Sequence, residues 1–524
     1  MYRKLEDRLR RLDRLQAPRL LRASSMGVEK EALRVNREGS IARTSHPIGL
    51  GSALTHPYIT TDYAEALMEF ITPPLSSVPE VLAFLRDAQQ FVYERLQDEY
   101  LWATSMPCVV AGDTSIRIAE YGTSNSGMMK HIYRRGLGYR YGRTMQTIAG
   151  VHFNYSLAPE FWPIYAELEG DGVSAQDFIS DCYMALIRNL QRFGWLIPYL
   201  FGASPAVCKS FLGGAQTELA EFDANTYYGP YATSLRMGDI GYQNNRENEH
   251  GIKASYDSLA SYIESLRHAI ETPCPDYEKI GVVVDGEYRQ LNANILQIEN
   301  EYYSTIRPKQ RLKGNEKPTV ALKRRGIEYV ELRSIDVNAF DPLGINQSQL
   351  CFLEAFLLFC LLHDSPLISA GERKAIDSNE LAAAHQGRDP DLVLQRRDGP
   401  LLLRQWADEL CREMRGICEL LDSVGEGSPY GDALAAQVRK VKDASLTPSA
   451  RMLQNMREHK EGFFHFARRM SQTHQRFFMS LPRNPERERF FEEVAARSLE
   501  EQKAREAAEE IPFDEYLTRY FAQK

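Results

Sequence analysis

The sequence predicts an α+β fold built on a largely antiparallel sheet. Residues 26–75 and 280–340 read as strands and turns, and polar and apolar side chains alternate in several of their segments, as is typical of strands. Helical periodicity lies between these regions and dominates beyond about residue 366. The two kinds of segment do not alternate as the βαβ units of a parallel sheet would require. We therefore expect mainly antiparallel strands with helices around them.

The chain is long enough to exceed one ordinary core. It has 524 residues, of which 43% are hydrophobic and 26% are charged, values typical of a globular protein in water. We expect a helical extension over residues 1–25 and an α+β region over residues 26–365. A mostly helical region over residues 366–524 is expected to pack on that α+β core.

Charge and cysteine content restrict the partners and the compartment. The net charge is −8 and no long basic run is present, which argues against nucleic-acid binding. The charged N-terminus lacks the apolar core of a secretory signal, and the longest apolar run, residues 355–362, is too short to cross a membrane. The eight cysteines form no CxxC pair, which argues against a thiolate zinc site. We expect a cytoplasmic protein with no nucleic-acid or membrane partner.

Most elements can be placed along the chain from their periodicity or their caps. Regularly spaced leucines predict a basic N-terminal helix, and Ser77 and Asn484 are of the type that caps helices. Residues 102–155 show no clear period. The predicted helices cover residues 2–16, 77–98, 175–193, 256–271, 347–363 and 484–510, and the predicted later strands cover residues 280–284, 291–297 and 327–335.

Glu29 and Glu31 give the strongest local indication of chemistry. In a strand, both side chains lie on one face, and Leu33 and Val35 continue that parity. At a separation of about 5 Å and an effective dielectric of about 20, two carboxylates repel by roughly 3 kcal/mol. A divalent cation between them removes this repulsion, since hard cations prefer oxygen ligands. The alternative is an edge strand with both acids in water.

Four further segments place polar side chains where strands should be apolar. In one of them, residues 291–301, polar residues at 292, 294 and 299 line a face. Glu69 lies in an otherwise buried-looking run, where an unpaired acid is costly. His152 and Asn154 share one face of their strand, as Glu331 and Arg333 do of theirs. A core histidine and a cross-strand ion pair are the structural alternatives. Taken together, these strands indicate a sheet with one polar face that forms a site.

Two loops rich in hydroxyl side chains, residues 121–127 and 231–237, lie beside arginines. Arg134 follows the first loop and Arg236 lies within the second. Guanidinium groups bind carboxylates and phosphates, although arginines near such loops are more often simply exposed. No GxxxxGK[ST] or GxGxxG nucleotide-binding loop is present. A polyphosphate would therefore have to be held by metal ions and local arginines.

Several segments, taken in order, resemble the bacterial type 1 family of glutamate–cysteine ligase, also called γ-glutamylcysteine synthetase. The resemblance is dense from about residue 26 to residue 344, thin near residues 351 and 446, and poor over residues 366–440 and after residue 456. The segments that carry it include VEKEALRV, LGSALTHPYITTDYAEALMEFITP, GVHFNYSL, YATSLRMGDIGY, LQIENEYYSTIRPK and GIEYVELRSIDVN.

The resemblance implies a fold and an activity. The fold would be that of glutamine synthetase, with a curved antiparallel sheet that forms a funnel and helices outside it, so that residues 26–365 would be catalytic. The activity would be the ATP-dependent joining of the L-glutamate γ-carboxylate to the L-cysteine amine through γ-glutamyl phosphate, the first step of glutathione synthesis. Mg²⁺ or Mn²⁺ would be the cofactor and ATP the co-substrate, in a monomer or weak oligomer.

The same motifs imply roles for individual residues. The metal ligands would be Glu29, Glu31, Glu69 and Glu331, with His152 as a further ligand or a phosphate contact. Arg333 would stabilise the transferring phosphoryl group, and Arg236 would pair with a substrate α-carboxylate. The cysteine pocket would be shaped by Tyr133, Tyr242 and Tyr303, and Arg134 would bind an anion.

Three other functions are alternatives. A related carboxylate–amine ligase would keep the metal acids and use a different amine. A phosphotransferase similar to the phosphagen kinases would form a phosphorylated amine and no amide. A non-catalytic binding protein is disfavoured, because a site without chemistry has no reason to keep four mutually repelling acids.

Overall fold

A seven-stranded antiparallel sheet organises the computed structural model of this protein, which describes residues 3–15, 17–170, 172–241 and 253–524. The strands are β1 (Ser25–Asn36), β2 (Ile59–Thr61), β3 (Leu67–Ile71), β4 (Glu99–Leu101), β5 (Val151–Ser156), β6 (Ala206–Cys208), β7 (Ala220–Asp223), β8 (Thr226–Tyr228), β9 (Val283–Val284), β10 (Glu287–Tyr288), β11 (Ile306–Lys309), β12 (Tyr329–Ile335), β13 (Val393–Leu394) and β14 (Leu401–Leu402). The large sheet has the order β11-β12-β5-β1-β3-β2, and β4 pairs with the end of β1. All of its pairings are antiparallel, as predicted, and the sheet is open rather than closed into a barrel.

Helices surround this sheet and form most of the C-terminal region. They are α1 (Arg3–Arg14), α2 (Pro18–Arg22), α3 (Val78–Tyr93), α4 (Asn125–Tyr141), α5 (Phe161–Glu169), α6 (Ala175–Phe193), α7 (Leu196–Phe201), α8 (Lys209–Leu212), α9 (Leu259–Glu271), α10 (Pro275–Ile280), α11 (Pro318–Arg325), α12 (Gln347–Leu362), α13 (Ala370–Gln386), α14 (Leu403–Glu413), α15 (Arg415–Asp422), α16 (Pro429–Lys442), α17 (Pro448–Glu458), α18 (Phe463–Ser480), α19 (Pro485–Ala507) and α20 (Phe513–Phe521).

Strand β1 lies at the centre of the sheet and gives its two faces different roles. Lys30 points opposite to Glu29 and Glu31, because successive side chains of a strand alternate. Its Nζ donates to Oε1 of Gln89 on α3 at 2.6 Å, and burial lowers the pKa of Lys30 to about 7. The helix-covered face therefore lies behind β1, and the two acids lie on the other side.

The predicted helices are confirmed, with ends that differ by a few residues. The side chain of Ser77 caps α3 by accepting a hydrogen bond from the Glu80 amide at 3.3 Å. Asn484 caps α19 in the same way, from the Arg487 amide at 3.2 Å. The helix predicted over residues 347–363 is α12, which is buried along almost its whole length.

Two of the predicted later strands are wrong. Residues 275–280 form α10, so only β9 remains of the strand predicted over residues 280–284. Residues 291–297 form a loop in which amide side chains bond to the nearby backbone. Gln297 accepts from the Leu291 amide at 3.0 Å, and Asn292 donates to the Gln297 carbonyl at 2.9 Å. Such local bonds replace the ladder that a strand would need.

Helix α4 lies within the region that showed no clear period. Where side chains of other segments come closest to this helix, it has glycines instead of apolar residues. Its sequence therefore shows little of the apolar periodicity that marks an amphipathic helix. A Cβ atom on Gly136 would lie 2.2 Å from Oε1 of Gln297, and one on Gly138 would lie 2.6 Å from the Tyr63 hydroxyl. Close packing therefore requires residues that weaken the helical signal in the sequence.

The C-terminal helices return to the N-terminal half of the chain. One contiguous cluster of buried apolar side chains extends from Leu5 to Phe491. Beyond it, the Ser52 amide donates to Oγ of Ser498 at 3.0 Å, and the amide of Asn125, the first residue of α4, donates to Oε1 of Glu509 at 3.0 Å. The division of the chain at residues 25 and 365 stays a prediction.

Cys108 and Cys208 form a disulfide, which the expectation of a cytoplasmic protein did not anticipate, because disulfides are rare in the cytoplasm. The two residues are 100 positions apart and share no motif, so their spacing gave no indication of it. Among the described residues, no helix has both the length and the apolar character needed to span a membrane.

Glu354 is an acid buried within α12 at 1% exposure. The Tyr430 hydroxyl donates to its Oε2 at 2.5 Å. Burial outweighs this bond and the charge of Arg22, and it raises the pKa of Glu354 from 4.5 to about 7. The folded protein therefore keeps this proton over a pH range in which the unfolded chain has lost it.

Glu354→Gln should raise the free energy of unfolding above pH 7 by up to about 3 kcal/mol and leave it nearly unchanged near pH 4.5. The wild-type protein loses stability as the pH rises through the folded-state pKa, whereas the amide does not titrate. Urea denaturation of both proteins at the two pH values measures the difference. An equal effect of the substitution at both pH values would contradict the expectation.

Candidate active site

Acidic side chains from β1, β3 and β12 converge on the face of the sheet opposite to Lys30, together with His152 of the intervening strand β5. Pairing of β1 with β5 sets Glu29 opposite His152, and pairing of β1 with β3 sets Glu31 opposite Glu69. Pairing of β12 with β5 brings Glu331 beside the same group. Because opposite residues of antiparallel strands share a face, the register alone places these side chains together.

These side chains form two groups that could each hold a metal ion. The first consists of Glu29, His152 and Glu331, and the second of Glu31, Glu69 and His152. Within each group, one ligand atom from every member lies within 4.8 Å of the others. His152 belongs to both groups, with Nδ1 3.1 Å from Glu29 and Nε2 3.7 Å from Glu31.

Hydrogen bonds orient the two acids of β1. The side-chain amide of Asn154 donates to Oε1 of Glu29 at 2.8 Å. The amide of Gly150, just before β5, donates to Oε2 of Glu31 at 2.6 Å. Each carboxylate therefore keeps one oxygen directed towards the shared space, as a preorganised ligand requires.

The two groups differ in their electrostatics. Burial, together with the charges of Glu29, Asp62 and Glu31, raises the pKa of Glu69 well above its usual value. Burial also raises the pKa of Glu31, against the opposing charge of His152. The Glu31 and Glu69 side of the site therefore holds a proton more readily than free carboxylates do.

The Glu331 side is balanced by cations of the protein itself. Burial acts to raise the pKa of Glu331, but Lys309 and Arg333 together hold it well below its usual value. Lys309 Nζ lies 3.0 Å from Oε2, and the Arg333 guanidinium lies 3.3 Å from Oε1. Burial likewise acts to raise the pKa of Glu29, and its hydrogen bond with His152 leaves that pKa lowered.

Arg236 is held rigidly at the edge of the same space. Its Nη2 donates to the Arg333 carbonyl at 2.8 Å, and its Nη1 lies 3.6 Å from Asp336. Asp336 is buried and also accepts from Ser204 and Ser234, at 2.8 and 2.9 Å, so it fixes the loop that carries Arg236. A Cβ atom on Gly150 would lie 2.1 Å from Arg236 Nη2.

The predicted substrate residues lie around one cavity of about 420 Å³ that also contains the acids. Tyr133 and Arg134 enter it from α4, and Tyr303 enters it from the segment before β11. The Arg134 guanidinium packs on the Tyr121 ring at 4.8 Å and donates to the Asp62 carbonyl. Tyr242 lies outside the described residues.

Four further residues of the cavity were not predicted from the sequence. Arg307 and Lys309 are two positions apart on β11, so both side chains point to the same face of the strand and line the cavity. This spacing in the segment IRPK was the one indication of their role that the sequence offered. Tyr516 and Tyr520 enter the cavity from α20. No pattern indicated these tyrosines, because α20 lies beyond the segments that carried the resemblance.

Comparison with known proteins shows the family of this chain. A family model described as glutamate-cysteine ligase matches residues 9–382. The chain belongs to the glutamate–cysteine ligase family. It is 48% identical over 522 residues to the glutamate–cysteine ligase of Alcanivorax borkumensis, with 99% of each chain covered. It is 50% identical to that of Pseudomonas putida, with 96% of this chain and 95% of the relative covered.

Solved structures of the family confirm the predicted fold. The glutamate–cysteine ligase of Francisella tularensis in complex with AMP superposes with a TM-score of 0.89 at 38% identity, covering 95% of this chain and 97% of that one. A bifunctional glutathione synthetase from Pasteurella multocida gives a TM-score of 0.70 at 25% identity, covering 89% of this chain and 54% of that longer one.

Gly150→Ala should lower ligase kcat/KM by about 100-fold, because displacement of a positioned group by about 1 Å can have an effect of that size. The added methyl group cannot share its place with the Arg236 guanidinium. Gly27→Ala is a matched control on β1, since its Cβ would make only ordinary contacts, the nearest at 3.6 Å. Steady-state kinetics measure both variants, and normal activity of Gly150→Ala would contradict the assigned position of Arg236.

Proposed function

We propose that this chain joins the γ-carboxylate of L-glutamate to the amine of L-cysteine with hydrolysis of ATP to ADP and phosphate. The convergence of Glu29, Glu31, Glu69 and Glu331 in one cavity carries the proposal, because it provides the charge for metal-assisted phosphoryl transfer. Relatives named glutamate–cysteine ligase that cover almost the whole chain support the reaction. The AMP in the Francisella structure supports a nucleotide substrate.

The reaction needs an activated carboxylate. Glutamate cannot expel oxide when an amine attacks, so its γ-carboxylate first takes the γ-phosphoryl group of ATP. The cysteine nitrogen then attacks the carbonyl carbon of γ-glutamyl phosphate, and phosphate leaves with the electron pair of the C–O bond. Phosphoryl transfer depends mainly on charge neutralisation and on in-line positioning.

The donor set fits Mg²⁺ or Mn²⁺. Carboxylate oxygens suit both ions, and the shared His152 is better suited to Mn²⁺. Burial raises the pKa of Glu31 and Glu69, and the charges of Glu29, Asp62 and Glu31 add to the rise at Glu69. A bound dication would offset the cost of ionising both acids in this buried site. When bound, the ions would neutralise phosphate oxygens and the substrate γ-carboxylate.

We assign the remaining roles to residues of this chain by position. Arg333, beside Glu331, would face the transferring phosphoryl group. Arg236, with its guanidinium fixed by Asp336, would pair with the glutamate α-carboxylate. Tyr133 and Tyr303 would line the cysteine pocket with Tyr242, and Arg134 would bind a further anionic group.

We also propose a cytoplasmic location, a monomer or weak oligomer, and no nucleic-acid or membrane partner. The net charge of −8 supports the absence of a nucleic-acid partner. A ligase that uses another amine is the nearest alternative, and the names of the relatives favour cysteine.

The activity is tested by the mass of the product formed from ATP, glutamate and cysteine. We expect the γ-glutamylcysteine dipeptide, with one phosphate released per amide, and loss of the reaction in EDTA.

Glu331→Gln should lower phosphate release by about 100-fold or more, because it removes an anionic ligand. Its thermal unfolding should remain close to that of the wild-type protein.

Three results would contradict the proposal. A phosphorylated amine without an amide would indicate a phosphotransferase. Preference for another amine when several compete would indicate a different ligase. Near-normal phosphate release by Glu331→Gln would show that Glu331 is not a required metal ligand.

A further inference from the structure

Lys309 occupies a position that the reaction described above leaves unexplained. It lies on the edge strand β11 and lines the cavity, with 28% of its side chain exposed. Its Nζ is 3.0 Å from Oε2 of Glu331, whose side chain is only 2% exposed. The Arg333 guanidinium is 3.3 Å from the other oxygen. Both oxygens of Glu331 are thus engaged by cations of the protein.

The same carboxylate belongs to the metal-ligand group of Glu29, His152 and Glu331. A divalent ion in that group needs an oxygen of Glu331 at coordination distance. An ammonium group cannot stay 3.0 Å from an oxygen of that carboxylate without strong repulsion from an ion bound to either of its oxygens. Lysine carries its charge on a flexible four-carbon stem, so its head can move while its strand stays in place.

We propose that Lys309 neutralises Glu331 before the metal binds, and that its displaced ammonium then binds the phosphate chain of ATP. The proposal rests on the proposed function, since it takes Glu331 as a metal ligand and ATP as the substrate. No bond is made or broken, and only the partner of the ammonium changes. The phosphate oxygens give the displaced charge a new partner inside the cavity, where an unpaired charge is costly.

Two other cations of the cavity, Arg307 and Arg236, are held by backbone groups or by residues outside the metal site. Arg307 donates to the carbonyls of Asn300 and Tyr302. Arg236 is held by the Arg333 carbonyl and by Asp336. Lys309 differs from these two because, like Arg333, it forms its ion pair with a proposed metal ligand, so metal binding must change its surroundings.

Lys309→Met should have opposite effects on metal and nucleotide. Without the competing ammonium, Mn²⁺ should bind the nucleotide-free enzyme about threefold or more tightly. With Mn²⁺ saturating, the KM for ATP should rise about tenfold or more, because a charge-assisted phosphate contact is lost. Titration followed by electron paramagnetic resonance measures Mn²⁺ binding, and steady-state kinetics measure the KM values for ATP and glutamate.

Lys323→Met is the matched control. Lys323 is exposed on α11 and does not line the cavity, so its substitution removes the same charge from another surface. It should leave both Mn²⁺ binding and the KM for ATP unchanged. Thermal unfolding followed by circular dichroism should be close to wild type for both variants.

Each other outcome overturns the proposal in a recognisable way. Tighter Mn²⁺ binding with an unchanged KM for ATP would show that Lys309 does not reach the phosphates. Weaker Mn²⁺ binding would show that Lys309 supports the metal site instead of competing for it. Glu331→Gln distinguishes a wrong metal assignment from a wrong role for Lys309. If it binds Mn²⁺ as the wild type does, the metal assignment fails; if it weakens Mn²⁺ while Lys309→Met changes nothing, only the role of Lys309 fails.

Discussion

Mutual repulsion among four carboxylates in one cavity is the constraint on which the rest of the site depends. The pairing of β12, β5, β1 and β3 brings these acids together, although their repulsion costs folding free energy. On one side, Lys309 and Arg333 hold Glu331 ionised. On the other side, burial and neighbouring acids raise the pKa of Glu31 and Glu69. The site thus has an ionised half and a proton-holding half, and cations bound between the acids would remove that difference.

The metal side and the substrate side of the cavity are built from different kinds of structure. Strands position the acids, because the pairing register determines which side chains lie opposite each other and which face they occupy. Arg236 comes from a loop, and Tyr133 and Arg134 come from helix α4, and these elements need their own supports. Buried Asp336 fixes the loop of Arg236, and Glu509 binds the first residue of α4. Loops on a rigid scaffold are where substrate selection usually resides.

The features of this site that depend on residues close together in the chain could be predicted from the sequence. Alternation along β1, β5 and β12 predicts polar faces, because period two is visible within a few residues. Which strands become neighbours is not a local property. The resemblance to a known family implied that the acids share one metal site, but the order of the strands was not predicted. Helix α4 was missed because close packing requires glycines at Gly136 and Gly138. The contribution of α20 and the disulfide of Cys108 with Cys208 depend on contacts between distant parts of the chain, which no local pattern indicates. For Lys309, the short segment IRPK gave only its parity with Arg307.

Anomalous diffraction from crystals grown with Mn²⁺ and a non-hydrolysable ATP analogue tests the central claim most directly. The account predicts anomalous peaks at coordination distance from both groups, Glu29 with His152 and Glu331, and Glu31 with Glu69 and His152. The phosphate chain should lie over these peaks. Ordered Mn²⁺ at other residues, with these acids bound only to protein or water, would contradict it.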